Sequence, residues 1–229
     1  SAPGAGPVRV RARLREAGDT PIRPVLVEAD IELAPDRGAA STAPAPRSGG
    51  EGSAAWDRAR IYRDIMFHGP ALQAVTGMDV STPERAEGVL LGMPQHDLIE
   101  AQPAPRFEFD PITLDAVGQL VGVWSADRLA EAFHVFPFRV ERVELFSEQL
   151  DPGAEARCVA RIGLEDGGLM RSDIEVIRPE GAVHCRIAGW WDKRFDLPDR
   201  FFRLRLDPAR AQVARPCTVP AEGVAGAWV

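Results

Sequence analysis

Residues 8–17 (VRVRARLREA) alternate apolar and basic positions, the two-residue period of a half-buried strand. Gly18-Asp19-Thr20-Pro21 is turn chemistry, and residues 24–33 (PVLVEADIEL) read as a second strand, so residues 1–34 predict a hairpin. Two strands alone are marginal in water, so the hairpin needs a larger sheet to join. Residues 35–53 are Pro, Ala, Gly and Ser without an apolar period and predict a flexible linker. Ser53 ahead of Ala54-Ala55-Trp56-Asp57 reads as a helix start, with Ile61, Ile65 and Met66 at helical spacing. That short helix is expected to end near Phe67-His68-Gly69-Pro70.

Strand patterns return at 73–80 and 85–92, followed by an irregular stretch over 94–108. Residues 111–129 (PITLDAVGQLVGVWSADRL) then predict a helix, with Pro111 suited to its first turn. Ile112, Leu114, Val117, Leu120, Val121, Val123 and Trp124 make it apolar on nearly every side. Gly118 and Gly122 each cost about 1 kcal/mol against Ala in a helix interior, so they predict close approach of other elements. Such a helix is wrapped by its neighbours, and residues 111–127 are expected to be mostly buried. Four strand-like runs follow at 136–146, 155–164, 168–178 and 182–192, and the tail over 207–229 is Pro-rich and peripheral. One buried helix against a run of antiparallel strands is an α+β architecture. The hot-dog fold, a curled antiparallel sheet around a central helix, has this composition.

Charge narrows the function classes. The 229 residues hold 27 Lys+Arg against 34 Asp+Glu, a net charge of −7, which argues against a nucleic-acid-binding surface. No apolar stretch approaches the roughly 20 residues of a membrane span, and no signal segment is expected at the start. Cys158, Cys185 and Cys217 are too widely spaced for a disulfide framework or a CxxC metal site, which points to a reducing, cytoplasmic setting. No metal is expected: His184 and Cys185 point to opposite faces of a strand. The chain has no P-loop, no GxGxxG after a strand, no GxSxG and no HExxH.

Four segments, in order, resemble the dehydratase domains of polyketide synthases, which are double hot dogs. IYRDIMFHGPALQAV (61–75) resembles the opening of their second hot dog. FDPITLDAVGQ (109–119) resembles the catalytic stretch His-Pro-X-X-Leu-Asp-X-X-X-Gln/His, with Asp110 in place of its His. FPFRVERVELF (136–146) resembles the strand after the helix, with Pro137 near the substrate tunnel, and 172–195 resembles the closing hairpin. The match covers about 55 to 200 and is specific as an ordered set. It implies that residues 54–206 are the C-terminal hot dog, that 1–34 end a first hot dog, and that 35–53 join the two.

The resemblance also implies a reaction: loss of water from a carrier-bound β-hydroxyacyl thioester, with no cofactor beyond the phosphopantetheine arm of an acyl carrier protein. Asp115 would assist departure of the β-hydroxyl, and Gln119, at i+4 on the same helical face, would orient it. Burial in an apolar helix predicts a raised carboxyl pKa for Asp115. The plainer reading makes Asp115 a first-turn acid facing the helix dipole. A histidine from the first hot dog would take the α-proton. That motif, His-X-X-X-Gly-X-X-X-X-Pro, is missing, since none of His68, His96, His134 and His184 is followed by Gly four residues on. Either that half lies outside this chain or the domain is not an active dehydratase. His68, Gly69, Pro70 and Pro137 are candidate tunnel residues, with His68 more plausibly structural than a substitute base, and Tyr62 reads as a packed helix residue. Lys193, Arg194, Arg200, Arg203 and Arg205 would suit the carrier's phosphate or acidic helix. More plainly, they form a solvated face balanced by Asp192, Asp196, Asp199 and Asp207. Other synthase domains are implied partners, and a homodimer is compatible with the family. The competing readings are a non-catalytic acyl-binding or structural module, and a product-template-like cyclase or isomerase.

Overall fold

The structure, a computed structural model, describes residues 6–15, 24–38, 53–96, 98, 105, 107–129 and 134–195. In chain order the elements are β1 (Val8–Arg15), β2 (Val25–Leu33), β3 (Ser53–Asp57), α1 (Arg58–Asp64), β4 (Val75–Thr82) and β5 (Arg85–Leu91). Then come α2 (Pro111–Arg128), β6 (His134–Leu145), β7 (Glu155–Glu165), β8 (Leu169–Ile177) and β9 (Val183–Phe195). Strands β3 to β9 form one antiparallel sheet in the order β3-β4-β5-β7-β8-β9-β6.

Helix α2 packs against β4, β5, β6 and β7, so strands from both sides of the sheet enclose it. Ile112, Val117, Leu120, Val121, Val123 and Trp124 are at most 1% exposed, as the all-round apolar pattern requires. The last turn (Ala126, Asp127, Arg128) is exposed, and nearer the start Leu114 and Asp115 are partly exposed. Its start is fixed by Asp110, whose carboxylate accepts from Ile112 N at 2.9 Å and from Thr113 Oγ1 at 2.8 Å. Its end is pinned to the sheet. Trp124 Nε1 donates to Thr82 O at 2.7 Å, and Asp127 accepts from Trp56 Nε1 at 2.8 Å and Ser81 Oγ at 2.6 Å.

Gly88 of β5 allows the sheet to close on the helix. A Cβ there would collide with the Gly77 carbonyl oxygen and stand 2.8 Å from Leu120 Cδ1. The backbone oxygen cannot move aside, so Gly88→Ala is expected to destabilise the fold by about 1–3 kcal/mol. Thermal denaturation checks this: Tm should fall by several degrees, and an unchanged Tm would contradict the close approach.

Three expectations need correction. The segment after Ser53 is strand β3, not the start of a helix, because Ser53, Trp56 and Asp57 pair with Val80, Met78 and Gly77 of β4. The helix cap is Asp57, whose carboxylate accepts from Arg60 N at 2.8 Å, so the linker ends before Ser53. The hairpin forms with the expected strands but as a separate two-stranded sheet, every strand residue exposed. Its register puts Val8, Val10 and Leu14 beside Leu33, Ile31 and Val27 on one face, and Arg9, Arg11 and Arg13 beside Glu32, Asp30 and Glu28 on the other. Third, Asp192 is 2% exposed and belongs to no solvated face. The expected turn at 18–21, the linker over 39–52 and the tail from 207 lie outside the described residues.

Candidate active site

The site is built where the turn after α1 meets the second turn of α2. Pro70 opens a short 3-10 helix (Pro70–Leu72), and Gln73 Nε2 donates to His68 O at 2.9 Å, bracing the turn. The His68 ring stacks on Phe67, with centroids 4.7 Å apart and planes at 15°. That places His68 Nε2 3.5 Å from Asp115 Oδ2, the imidazole largely buried and the carboxylate half-exposed.

Gln119 holds the carboxylate from the other side. Its Nε2 donates to Asp115 Oδ2 at 2.6 Å and to Leu72 O at 2.8 Å. Its Oε1 accepts from Tyr62 OH at 2.6 Å, and that hydroxyl accepts from Val75 N at 2.9 Å. The amide orientation follows from this chain: Val75 N–H occupies a lone pair of the phenol, leaving the phenol proton for Gln119. Burial pushes the Tyr62 phenol up to about 12, so it remains a donor at physiological pH.

The expectation of a raised pKa for Asp115 is wrong. Burial does push it up, but hydrogen bonding from His68 and Gln119, with the His68 charge, outweighs burial and holds it below the ordinary carboxylate value. The helix-dipole reading fails too, because Asp115 lies in the second turn and Asp110 does the capping. Asp115 is therefore an ionised acceptor at neutral pH, presented on an apolar helix and held on two sides.

The structure brings Asp115, Gln119 and His68 together. Gly69 and Pro70 are exposed in the adjoining turn, and Pro137 is exposed on edge strand β6, opposite Asp192 of β9. Lys193 and Arg194 are exposed at the end of β9, while Arg200, Arg203 and Arg205 lie outside the described residues. Trp190 points inward, and Trp191 donates outward to Glu141 Oε1 at 2.9 Å. Among the described residues no group of three or more His, Cys, Asp or Glu is placed to hold a metal. The sequence reading missed the linking role of Tyr62, the bracing by Gln73 and the cap at Asp110. Asp110 alone had a local signal, standing directly before Pro111.

The family model described as "Polyketide synthase dehydratase N-terminal domain" matches residues 39–195, more than half of the chain. The chain belongs to the polyketide synthase dehydratase family. Solved dehydratase structures share its fold. The dehydratase domain of RzxB from Pseudomonas fluorescens superposes with a TM-score of 0.60 at 16% identity, covering 84% of this chain and 66% of that domain. The dehydratase domain from the CurF module of curacin polyketide synthase gives 0.62 at 17% identity, covering 82% and 64%. A trans-AT polyketide synthase dehydratase domain from Brevibacillus brevis gives 0.61 at 15%, also covering 82% and 64%. The antiparallel sheet around α2 is thus the hot-dog fold of these dehydratases, and this chain spans just under two thirds of each. No helix among the described residues is long and apolar enough to cross a membrane.

Proposed function

We propose that this chain supplies the second hot dog of a dehydratase domain acting on β-hydroxyacyl thioesters within a polyketide synthase. The observation that carries the reading is the Asp115 carboxylate on the buried helix of this family's fold, clamped by Gln119 and His68. In the reaction a base removes the α-proton, the β-carbon–oxygen bond breaks, and the hydroxyl leaves with a second proton as water. The products are water and the enoyl thioester.

Asp115, ionised at rest, accepts a hydrogen bond from the β-hydroxyl and fixes its position. The proton that completes the leaving water passes through the Asp115–His68 pair, whose imidazole carries it. The α-proton goes to a histidine of a partner hot dog outside this chain. The substrate arrives on the phosphopantetheine arm of an acyl carrier protein, and the reaction takes no other cofactor. Neighbouring synthase domains are the further partners.

The test assays the purified chain and the intact synthase with a 3-hydroxyacyl pantetheine thioester, watching enoyl product. Each positioned acid or base contributes about 10²–10⁴-fold, so the chain alone should give little or no product while the synthase turns over. Robust turnover by the chain alone would place the base within this chain and overturn the histidine of a partner hot dog. An inert synthase would favour the non-catalytic acyl-binding module.

A further inference from the structure

Three buried polar groups lie together on the inner face of the sheet, each with an atom that makes no hydrogen bond of good geometry: Ser172 Oγ, Trp190 Nε1 and Asp192 Oδ2, the Trp190 N–H lying towards the Asp192 carboxyl without closing on it. Ser172 is 0% exposed, Asp192 2% and Trp190 5%. Ser172 of β8 stands opposite Trp190 of β9, and Asp192 is two residues further along β9 on the same face, beside Met170. Buried polar groups are nearly always paired, so three orphans side by side mark a place built for something else to complete.

Their position relates them to Asp115. The Trp190 indole lies on Gly118 of α2, where an added Cβ would stand 2.8 Å from Cζ2. Gly118 precedes Gln119 and lies on the helical stripe next to Asp115, three residues on. Trp190 therefore sits against the stretch of α2 that carries Asp115.

Their chemistry selects the occupant. Trp190 only donates, whereas Asp192 and Ser172 accept and can also donate. A hydroxyl accepts from the indole and donates to the carboxyl, so one group satisfies both. A methylene satisfies neither, an anion would face Asp192, and an ammonium would face the indole N–H. Burial pushes Asp192 up to about 7 against the opposing Trp190 N–H, so a neutral ligand oxygen suits either protonation state.

We infer that Ser172, Trp190 and Asp192 form a polar subsite that holds a hydroxyl of the acyl chain other than the one eliminated. This rests on the dehydratase reading and adds a substrate class to it: polyhydroxylated acyl thioesters. Asp192 and Trp190 are specificity residues here and take no part in the elimination.

Calorimetry on the full chain tests it with saturated acyl pantetheine thioesters that lack the β-hydroxyl and cannot react. One probe has a plain chain; in a set of others a single hydroxyl is moved along the chain. The chain should bind one hydroxylated probe about tenfold or more tighter than the plain one. Asp192→Leu and Trp190→Phe should each remove that preference while leaving the plain probe's affinity unchanged. Trp190→Phe keeps the packing on Gly118, so it reads the subsite even if Asp192→Leu fails to fold. Equal affinity for every probe would overturn the subsite alone and leave the orphans to buried water. Failure of all probes to bind would overturn the acyl-thioester reading together with it.

Discussion

Asp115→Asn is expected to lower enoyl formation from a β-hydroxyacyl thioester by about 10²–10⁴-fold with the fold retained. The amide oxygen of Asn can still accept from Gln119 Nε2, the donor that now reaches Asp115 at 2.6 Å. Position 115 is half-exposed and forms no part of the helix cap, so neither packing nor the start of α2 depends on the charge. What disappears is the negative charge opposite His68 and, with it, the path by which a proton reaches the leaving hydroxyl. The loss should fall on kcat, since an amide still hydrogen-bonds the substrate's hydroxyl. Enoyl absorbance in the intact synthase gives the rate, and a melting curve gives the fold. Wild-type turnover by the variant would remove Asp115 from the mechanism.

Folding stability is expected to change little between pH 7 and pH 4, because two buried groups titrate in opposite senses across that window. Burial pushes the Asp192 carboxyl up to about 7, from 3.8. Its charged form is therefore disfavoured in the folded state, and stability falls as pH rises from about 4 through 7. Burial, with Arg178 and Arg37, pushes the His184 imidazole down to about 4, from 6.5. Its charged form is disfavoured too, so stability falls as pH drops from about 6.5 to 4. At 1.36 kcal/mol per unit, each effect is on the order of a few kcal/mol, and the two oppose each other.

The variants separate them. Asp192→Leu should gain a few kcal/mol at pH 8 and turn acid-labile towards pH 4. His184→Gln should become more stable on acidification over the same range. Urea titrations at pH 4, 6 and 8 measure both, and an Asp192→Leu curve parallel to the wild type's would refute the account.

Local pattern made the central features legible. The apolar positions of α2 recur without a polar stripe, and burial is the only environment that accepts such a helix. Asp115 and Gln119 meet because they are one turn apart on one helix, a distance that spacing alone determines. The rest depends on partners distant in sequence. Ser53 carries a cap signal, yet pairing with Val80 of β4 decides its conformation. Tyr62 is 57 positions from Gln119, and only the braced turn at His68–Gln73 brings the two segments together. The direction of the Asp115 shift is hidden from the sequence for the same reason. Apolar neighbours in the helix predict desolvation, whereas the His68 that outweighs it comes from another segment. Asp192 sits beside charged residues in sequence, and only strand alternation in a sheet wrapped on α2 turns it inward.

The order of strands across the sheet sets a timetable for synthesis. β6 is an edge strand whose neighbour is β9, the last strand of the sheet in chain order. On the ribosome β6 is complete at Leu145, but its partner is complete only at Phe195. At roughly 5–20 residues per second, the intervening residues take about 3–10 s to appear. During that interval β6, with Phe138 and Val140 on its surface, has neither ladder nor cover, and it is the segment a chaperone would have most reason to hold.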